Sequence, residues 1–293
     1  MVVLVTGANG QLGQSIQFIA NKYPNIQFVY TDFQEMDITN LENCKTVFAK
    51  HKPQFCINTA AYTAVDKAES EQEKAHLINA VGPENLAKVC KEFDTILLHI
   101  STDFIFSGEN HVTSRGVEMP YLESDIPNPQ SVYGKTKLDG ELAIQKNWEK
   151  HFIVRTSWVY SQFANNFMKT MLRLASERDS LSVVSDQIGT PTNAVDLAET
   201  LVTIIQAPIT HHPSFFGIYN FSNEGVCSWY DFAKEIFHQK GISIDLQPIP
   251  TSAYPTPAKR PAFSVLDKSK IKTTFPVAIA DWKTSLKKCL ELL

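Results

Sequence analysis

Short apolar runs alternate with longer amphipathic stretches through the first half of the chain, and that alternation sets the fold class. Val2 to Val5, Gln27 to Tyr30, Phe55 to Asn58, Ile96 to Ser101 and Phe152 to Thr156 are runs of strand length. Between them, Gln14 to Asn21, Leu41 to His51, Ser70 to Glu92 and Tyr133 to Asn147 place apolar residues at helical spacing and are long enough to act as crossovers. Strands joined by crossover helices pair in parallel, so the pattern predicts an α/β protein with a Rossmann-type doubly wound parallel sheet. Such strands are covered on both faces and read as continuous apolar runs. Ile96-Leu97-Leu98-His99-Ile100 fits, with His99 expected to be a hydrogen-bonded core histidine rather than a catalyst.

Beyond about residue 157 the periodicity loosens. Pro-rich segments at Ala207 to Pro213 and Gln247 to Pro261 flank a helical stretch at Trp229 to Lys240. We expect residues 1–157 and 191–221 to form a dinucleotide-binding domain, and 158–190 and 222–293 a smaller α/β substrate-binding lobe.

Composition narrows the function classes. The chain has 293 residues, 43% of them hydrophobic and 20% charged, as in ordinary globular proteins. No apolar run approaches the ~20 residues of a spanning helix. Met1 leads straight into a strand rather than a signal peptide, so a cytoplasmic protein without a membrane partner is expected. A formal net charge of -4 and the lack of any basic run argue against nucleic acid as a partner. The five cysteines are odd in number, scattered and never spaced Cys-x-x-Cys, which suggests neither a disulfide framework nor a zinc site. His211 and His212 have no carboxylate or cysteine at ligand spacing and are expected to be solvated loop residues.

The chemistry begins where the first strand ends. Gly7-Ala8-Asn9-Gly10-Gln11-Leu12-Gly13 puts a glycine at every third position between a strand and a helix. A glycine turn lets the backbone approach a pyrophosphate, and the free amides and dipole of the helix start stabilise its charge. This predicts a dinucleotide cofactor, NADPH or NADH. Asp32, nineteen residues past Gly13, lies where an acidic side chain meets the adenosine ribose, which favours NADH. Asp37, followed by Ile38, is either an adenine contact or the cap of the helix beginning near Leu41.

Tyr133 and Lys137 are spaced Tyr-x-x-x-Lys, which puts both on one helix face. A free phenol has a pKa of about 10, and a nearby ammonium favours phenolate, bringing the group toward a range useful for protonating a carbonyl oxygen. Tyr230 and Lys234 share the spacing but lie in the second lobe, where Ser228 looks like a helix cap. Tyr133 instead follows the strand ending Ser101-Thr102-Asp103, whose carboxyl end is where open α/β sheets bind ligands. Thr102 there can hydrogen-bond a substrate carbonyl and the phenol, or simply cap the strand end.

Together these residues resemble the extended short-chain dehydrogenase/reductases, which act on nucleotide sugars. Asn58-Thr59-Ala60-Ala61-Tyr62-Thr63-Ala64-Val65-Asp66, Asp186-Gln187-Ile188-Gly189-Thr190-Pro191-Thr192 and Arg260-Pro261 before Ser264-Val265-Leu266-Asp267 are similar to the dTDP-4-dehydrorhamnose reductase family. The resemblance implies reduction of a 4-keto nucleotide sugar, with Thr102, Tyr133 and Lys137 as the catalytic set. It also implies that Ala60, Ala61 and Tyr62 line the cofactor. Asp103, Phe104, Trp158, Asn165 and Arg260 would meet the substrate, the arginine through its diphosphate. Phe104 stands where a tyrosine is usual, and where a dehydratase would carry glutamate. Ser15 stands where some members carry a metal-binding glutamate, so no magnesium site is expected; a homodimer stays open. The alternatives are an epimerase or another nucleotide-sugar reductase, and a regulatory cofactor-binding module like the beta subunit of methionine adenosyltransferase.

Overall fold

The computed structural model describes residues 1–109 and 119–293. Its first half follows the apolar pattern. Val2–Thr6 forms β1, Gln11–Ile19 α1, Gln27–Tyr30 β2, Leu41–His51 α2 and Phe55–Asn58 β3. Two short helices, α3 (Val65–Ala68) and α4 (Gln72–His76), lead through a π-helical turn, Leu77–Val81, into α5 (Gly82–Glu92). Then come β4 (Ile96–Thr102), α6 (Val132–Asn147) and β5 (His151–Thr156).

The single helix expected over 70–92 is therefore broken. Pro83 has no N–H to offer Asn79, so the helical ladder cannot continue across this point, and the wider π turn takes up the mismatch. The turn also aims Asn79 inward, where Oδ1 accepts from Tyr62 N at 2.8 Å and Nδ2 donates to Tyr62 O at 3.0 Å. Periodicity alone could not show this, because the apolar positions on either side stay in helical phase.

The second half contributes β6 (Val159–Tyr160), α7 (Phe167–Glu177), β7 (Ser180–Val184), β8 (Ile188–Gly189), β9 (Thr192–Asn193) and α8 (Ala194–Gln206). It continues with β10 (Gly217–Asn220), β11 (Cys227–Ser228), α9 (Trp229–Lys240), β12 (Asp245–Ile249), α10 (Ser269–Thr274) and α11 (Trp282–Leu290). The main sheet has six parallel strands in the order β10-β5-β4-β3-β1-β2. β10 did not stand out in the sequence because it opens with a glycine, at φ +134°, which leaves only Ile218 and Tyr219 as its apolar run.

Strand alternation divides the core. Val3, Val5, Ile57, Leu98 and Val154 face α1 and α8, whereas Leu4, Cys56, Leu97 and Ile153 face α2, α5 and α6. Each such Val or Leu taken fully out of water contributes about 1.5–3 kcal/mol. All five cysteines are free and buried. A third cluster, built on Met168, Phe232, Ile236, Trp282 and Leu286, holds α7, α9 and α11 together beside the sheet. The chain runs out from β1 to β2 and returns on β1's other side as β3, so the carboxyl ends of β1 and β3 flank the crevice at the switch point.

Candidate functional site

Two glycines shape that crevice. Gly7 sits at φ +64°, and a β-carbon there would lie 2.6 Å from Ala60 N, on the loop after β3. At Gly13 a β-carbon would lie 2.5 Å from both Ala8 Cα and Gly7 O. Both obstacles are backbone, so no side chain can swing aside. Gly13→Ala is accordingly expected to cost about 1–3 kcal/mol, by urea unfolding, and to weaken coenzyme binding with it. Gly10, just before α1, brings no side chain to cap the helix, whose first amides stay available to an anion.

A cavity of about 510 Å³ opens beside this turn, lined by Gly7, Asn9, Gly10, Asp32, Asp37, Ile38, Ala60 and Ala61. Phe33, Met36, Lys74, Leu77 and Ile78, with Thr39 and Thr59, complete the wall, and sequence reasoning passed them over as site residues. Phe33 directly follows the ribose-position acid, which was the signal available, and it is exposed in the structure. The turn, the mostly apolar wall and the acid at its edge suit a dinucleotide. Asp32 is held there, Oδ2 accepting from Asn9 N at 2.9 Å and Oδ1 from Phe33 N at 2.8 Å. A smaller cavity of about 260 Å³ beside α8 contains none of the predicted site residues.

Some expected cofactor residues turn their side chains elsewhere. Leu12 belongs to the core. Gln11 ties the turn to the second half, its Oε1 accepting from Asn166 Nδ2 at 2.9 Å and Ser161 Oγ at 3.2 Å. Tyr62 is buried and donates its hydroxyl to Glu71 at 3.0 Å. Asp37 does not cap α2. Asn40 does, accepting from Asn43 N, while Asp37 closes a local turn with Thr39. Ser15 is buried and bonded back to Gln11 O. Among the described residues no group of three or more His, Cys, Asp or Glu side chains could hold a metal.

The catalytic candidates converge at the carboxyl end of β4. Ser131 caps α6 by accepting from Gly134 N at 3.1 Å, so Tyr133 and Lys137 occupy the first turns of that helix. Thr102 ends β4. Its hydroxyl accepts from Phe104 N at 3.2 Å, donates to Asp103 Oδ1 at 3.1 Å and lies near enough to the Tyr133 phenol to act on its titration. Strand capping and phenol contact thus fall to one group.

The electrostatics differ from the sequence expectation. Burial pushes the Tyr133 phenol up to about 12, with Thr102 working against it and Asp103 adding to it. Lys137 does not draw the phenol down, because its Nζ donates to Ile100 O at 2.7 Å and lies 3.4 Å from His99 Nε2. Burial brings Lys137 itself down to about 8, opposed by the Glu141 carboxylate one turn along α6. Burial pushes Asp103 up to about 6, with Ser264 and the Thr102 hydrogen bond to Oδ1 working against the shift.

The substrate candidates surround this point unevenly. Phe104 packs edge-on to Tyr133, ring centroids 5.5 Å apart. Trp158 adopts φ +48°, a left-handed conformation that bulky residues rarely take, and stacks on Trp229 at 3.7 Å and 12°. Trp229 was read only as a helix start. Asn165 is exposed before α7, and its neighbour Asn166 makes the link to Gln11. Arg260 spends its planar fork on Asp66, with Nη1–Oδ1 3.0 Å and Nη2–Oδ2 2.8 Å, a pair that holds the Asp66 carboxyl below its usual range.

Comparison with known proteins agrees with this geometry. A family model described as the RmlD substrate binding domain matches residues 1–293. The dTDP-4-dehydrorhamnose reductase of Aggregatibacter actinomycetemcomitans is 41% identical over 97% of both chains. The crystal structure of a dTDP-4-dehydrorhamnose reductase from Clostridium acetobutylicum superposes with a TM-score of 0.92 at 43% identity, covering 100% of this chain and 99% of that one. A Bacillus anthracis dTDP-4-dehydrorhamnose reductase in complex with NADP gives 0.91 at 35% identity, with the same coverage. With a full-length family match, and sequence and fold similarity running from end to end, this chain belongs to the RmlD family of dTDP-4-dehydrorhamnose reductases.

Proposed function

We propose that this protein reduces the 4-keto group of dTDP-4-dehydro-L-rhamnose to give dTDP-L-rhamnose, using NADPH or NADH. The observation that carries the proposal is the meeting of Thr102, Tyr133 and Lys137 beside the switch-point crevice, in a chain 41% identical to a reductase of that name. Gly7, Gly10 and the start of α1 would hold the coenzyme pyrophosphate, and Asp32 the adenosine side. The coenzyme supplies the hydride when bound.

The rest falls to the chain's own groups. Tyr133 keeps its proton far above neutral pH and delivers it to the carbonyl oxygen, while Thr102 orients both oxygens by hydrogen bonding. Lys137, buried behind them, bonds the nicotinamide ribose. Trp158, braced by Trp229, gives the sugar a flat wall, and Arg260 turns from Asp66 to the substrate diphosphate. We assign 1–157 and 191–221 to the coenzyme and 158–190 and 222–293 to the substrate, and place the protein in the cytoplasm.

The deciding experiment supplies freshly made dTDP-4-dehydro-L-rhamnose with each reduced coenzyme and follows loss of reduced-nicotinamide absorbance, identifying the product by mass and chromatography. We expect turnover to dTDP-L-rhamnose. Folded protein that binds coenzyme yet oxidises neither would overturn the proposal in favour of another keto sugar or a regulatory role.

A further inference from the structure

Asn58, His99 and Lys137 form a buried line of polar groups, exposed by 1%, 0% and 2%, whose donors and acceptors can be assigned in turn. Ala60 N–H can only donate, and it donates to Asn58 Oδ1 at 3.2 Å; the Thr6 hydroxyl donates to the same oxygen at 2.6 Å. That fixes the amide orientation and turns Asn58 Nδ2 toward His99 Nδ1 at 2.9 Å. An amide NH2 only donates, so Nδ1 must carry the lone pair. In the neutral ring the proton then sits on Nε2, which faces Lys137 Nζ at 3.4 Å. An N–H aimed at the lysine nitrogen suits the lone pair of a neutral amine and opposes an ammonium.

We propose that His99 is a positioning residue for Lys137: held by Asn58 as its Nε2–H tautomer, it tips the lysine toward the neutral amine and keeps its nitrogen against Ile100 O. Burial acts in the same sense on Lys137 and holds His99 well below the usual histidine range, with Lys137 and His151 adding to the shift. The other titratable groups around the lysine are few. Tyr133 and Glu141 share its helix, Glu141 pulling it toward the ammonium while bonded to Arg155 of β5. Asp103 acts on Tyr133, and His76 from α4 meets Asp139 on the outer side of α6. His99 is the group that bears directly on the lysine nitrogen from β4. The proposal rests on the reductase reading only for the importance of Lys137.

The test uses coenzyme-free protein carrying 13C at the lysine Cε, with the Lys137 signal assigned by its loss in Lys137→Arg. Asn58→Asp replaces the facing NH2 with an acceptor oxygen, which draws the ring proton to Nδ1 and turns the Nε2 lone pair to the lysine. His99→Gln puts a side-chain oxygen within reach of the same nitrogen. In both variants the Lys137 titration midpoint is expected to rise by about one pH unit, a tenfold gain in proton affinity, and a rise under about 0.3 unit in folded protein would overturn the proposal. The imidazole 15N spectrum of the parent protein decides without any variant, since a proton found on Nδ1 would also overturn it. Coenzyme binding across the same pH range keeps the claims apart: a protein that binds neither coenzyme fails the reductase reading, while the tautomer is still settled by the spectra.

Discussion

Replacing Tyr133 by phenylalanine is expected to lower kcat by about a hundredfold or more while leaving coenzyme affinity within a few-fold of the parent. The variant deletes one hydroxyl from a ring whose packing against Phe104 is otherwise kept, so folding and the crevice at β1 and β3 stay intact. What goes is the proton donor at the carboxyl end of β4. The phenol, pushed up to about 12, is protonated at every pH at which the enzyme would be assayed, so it acts as an acid and not as a pre-formed phenolate. Its own titration therefore removes activity only as pH rises toward that value. Loss of activity near neutral pH in the parent would have to come from another group, and Asp103, at about 6, and Lys137, at about 8, are the two placed at this site to do it. Steady-state rates with coenzyme affinity measured separately check this, and turnover within tenfold of the parent would remove Tyr133 from the mechanism.

Much of this site was legible because its parts obey local rules. A glycine turn between strand and helix, an acid after β2 and a Tyr-x-x-x-Lys pair each show in a window of a few residues, and the topology brings those windows to one end of the sheet. What escaped depends on contacts between distant segments. Asp66 lies in a stretch whose resemblance was plain, yet its partner Arg260 is 194 residues away. Trp229 reads as a helix start because only the fold sets it under Trp158. The supposed pull of Lys137 on Tyr133 failed for a related reason: spacing shows that two side chains share a face, but not that Ile100 O and His99 already claim the lysine. The π turn at 77–81 came from the one feature that was readable, Pro83, whose missing N–H gave notice of the break.

Glu141→Ala should destabilise the fold by about 3–5 kcal/mol, the largest effect expected for a residue outside the reacting set. Glu141 is fully buried on α6, two turns beyond Tyr133, and its carboxylate meets Arg155 of β5 through Nη2 at 2.8 Å and Nε at 3.1 Å. The guanidinium is 2% exposed, lies 5.4 Å from the Phe106 ring centroid and gives one further hydrogen bond to Glu123 O. Water cannot reach it to replace the carboxylate, so removing Glu141 leaves a buried cation with one neutral acceptor. The same argument separates the cost of breaking the pair from its net worth, because two desolvated charges repay little more than their burial. Glu141→Leu with Arg155→Met should therefore be markedly more stable than the sum of the single losses implies, in a urea double-mutant cycle. Equal, additive losses would mean that the two side chains act separately. The pair also anchors the helix that carries Tyr133 and Lys137 to the strand beside β4 and supplies the charge that holds Lys137 up. Activity in the single variant should then fall even at urea-free stability, with the Lys137 limb moving to lower pH.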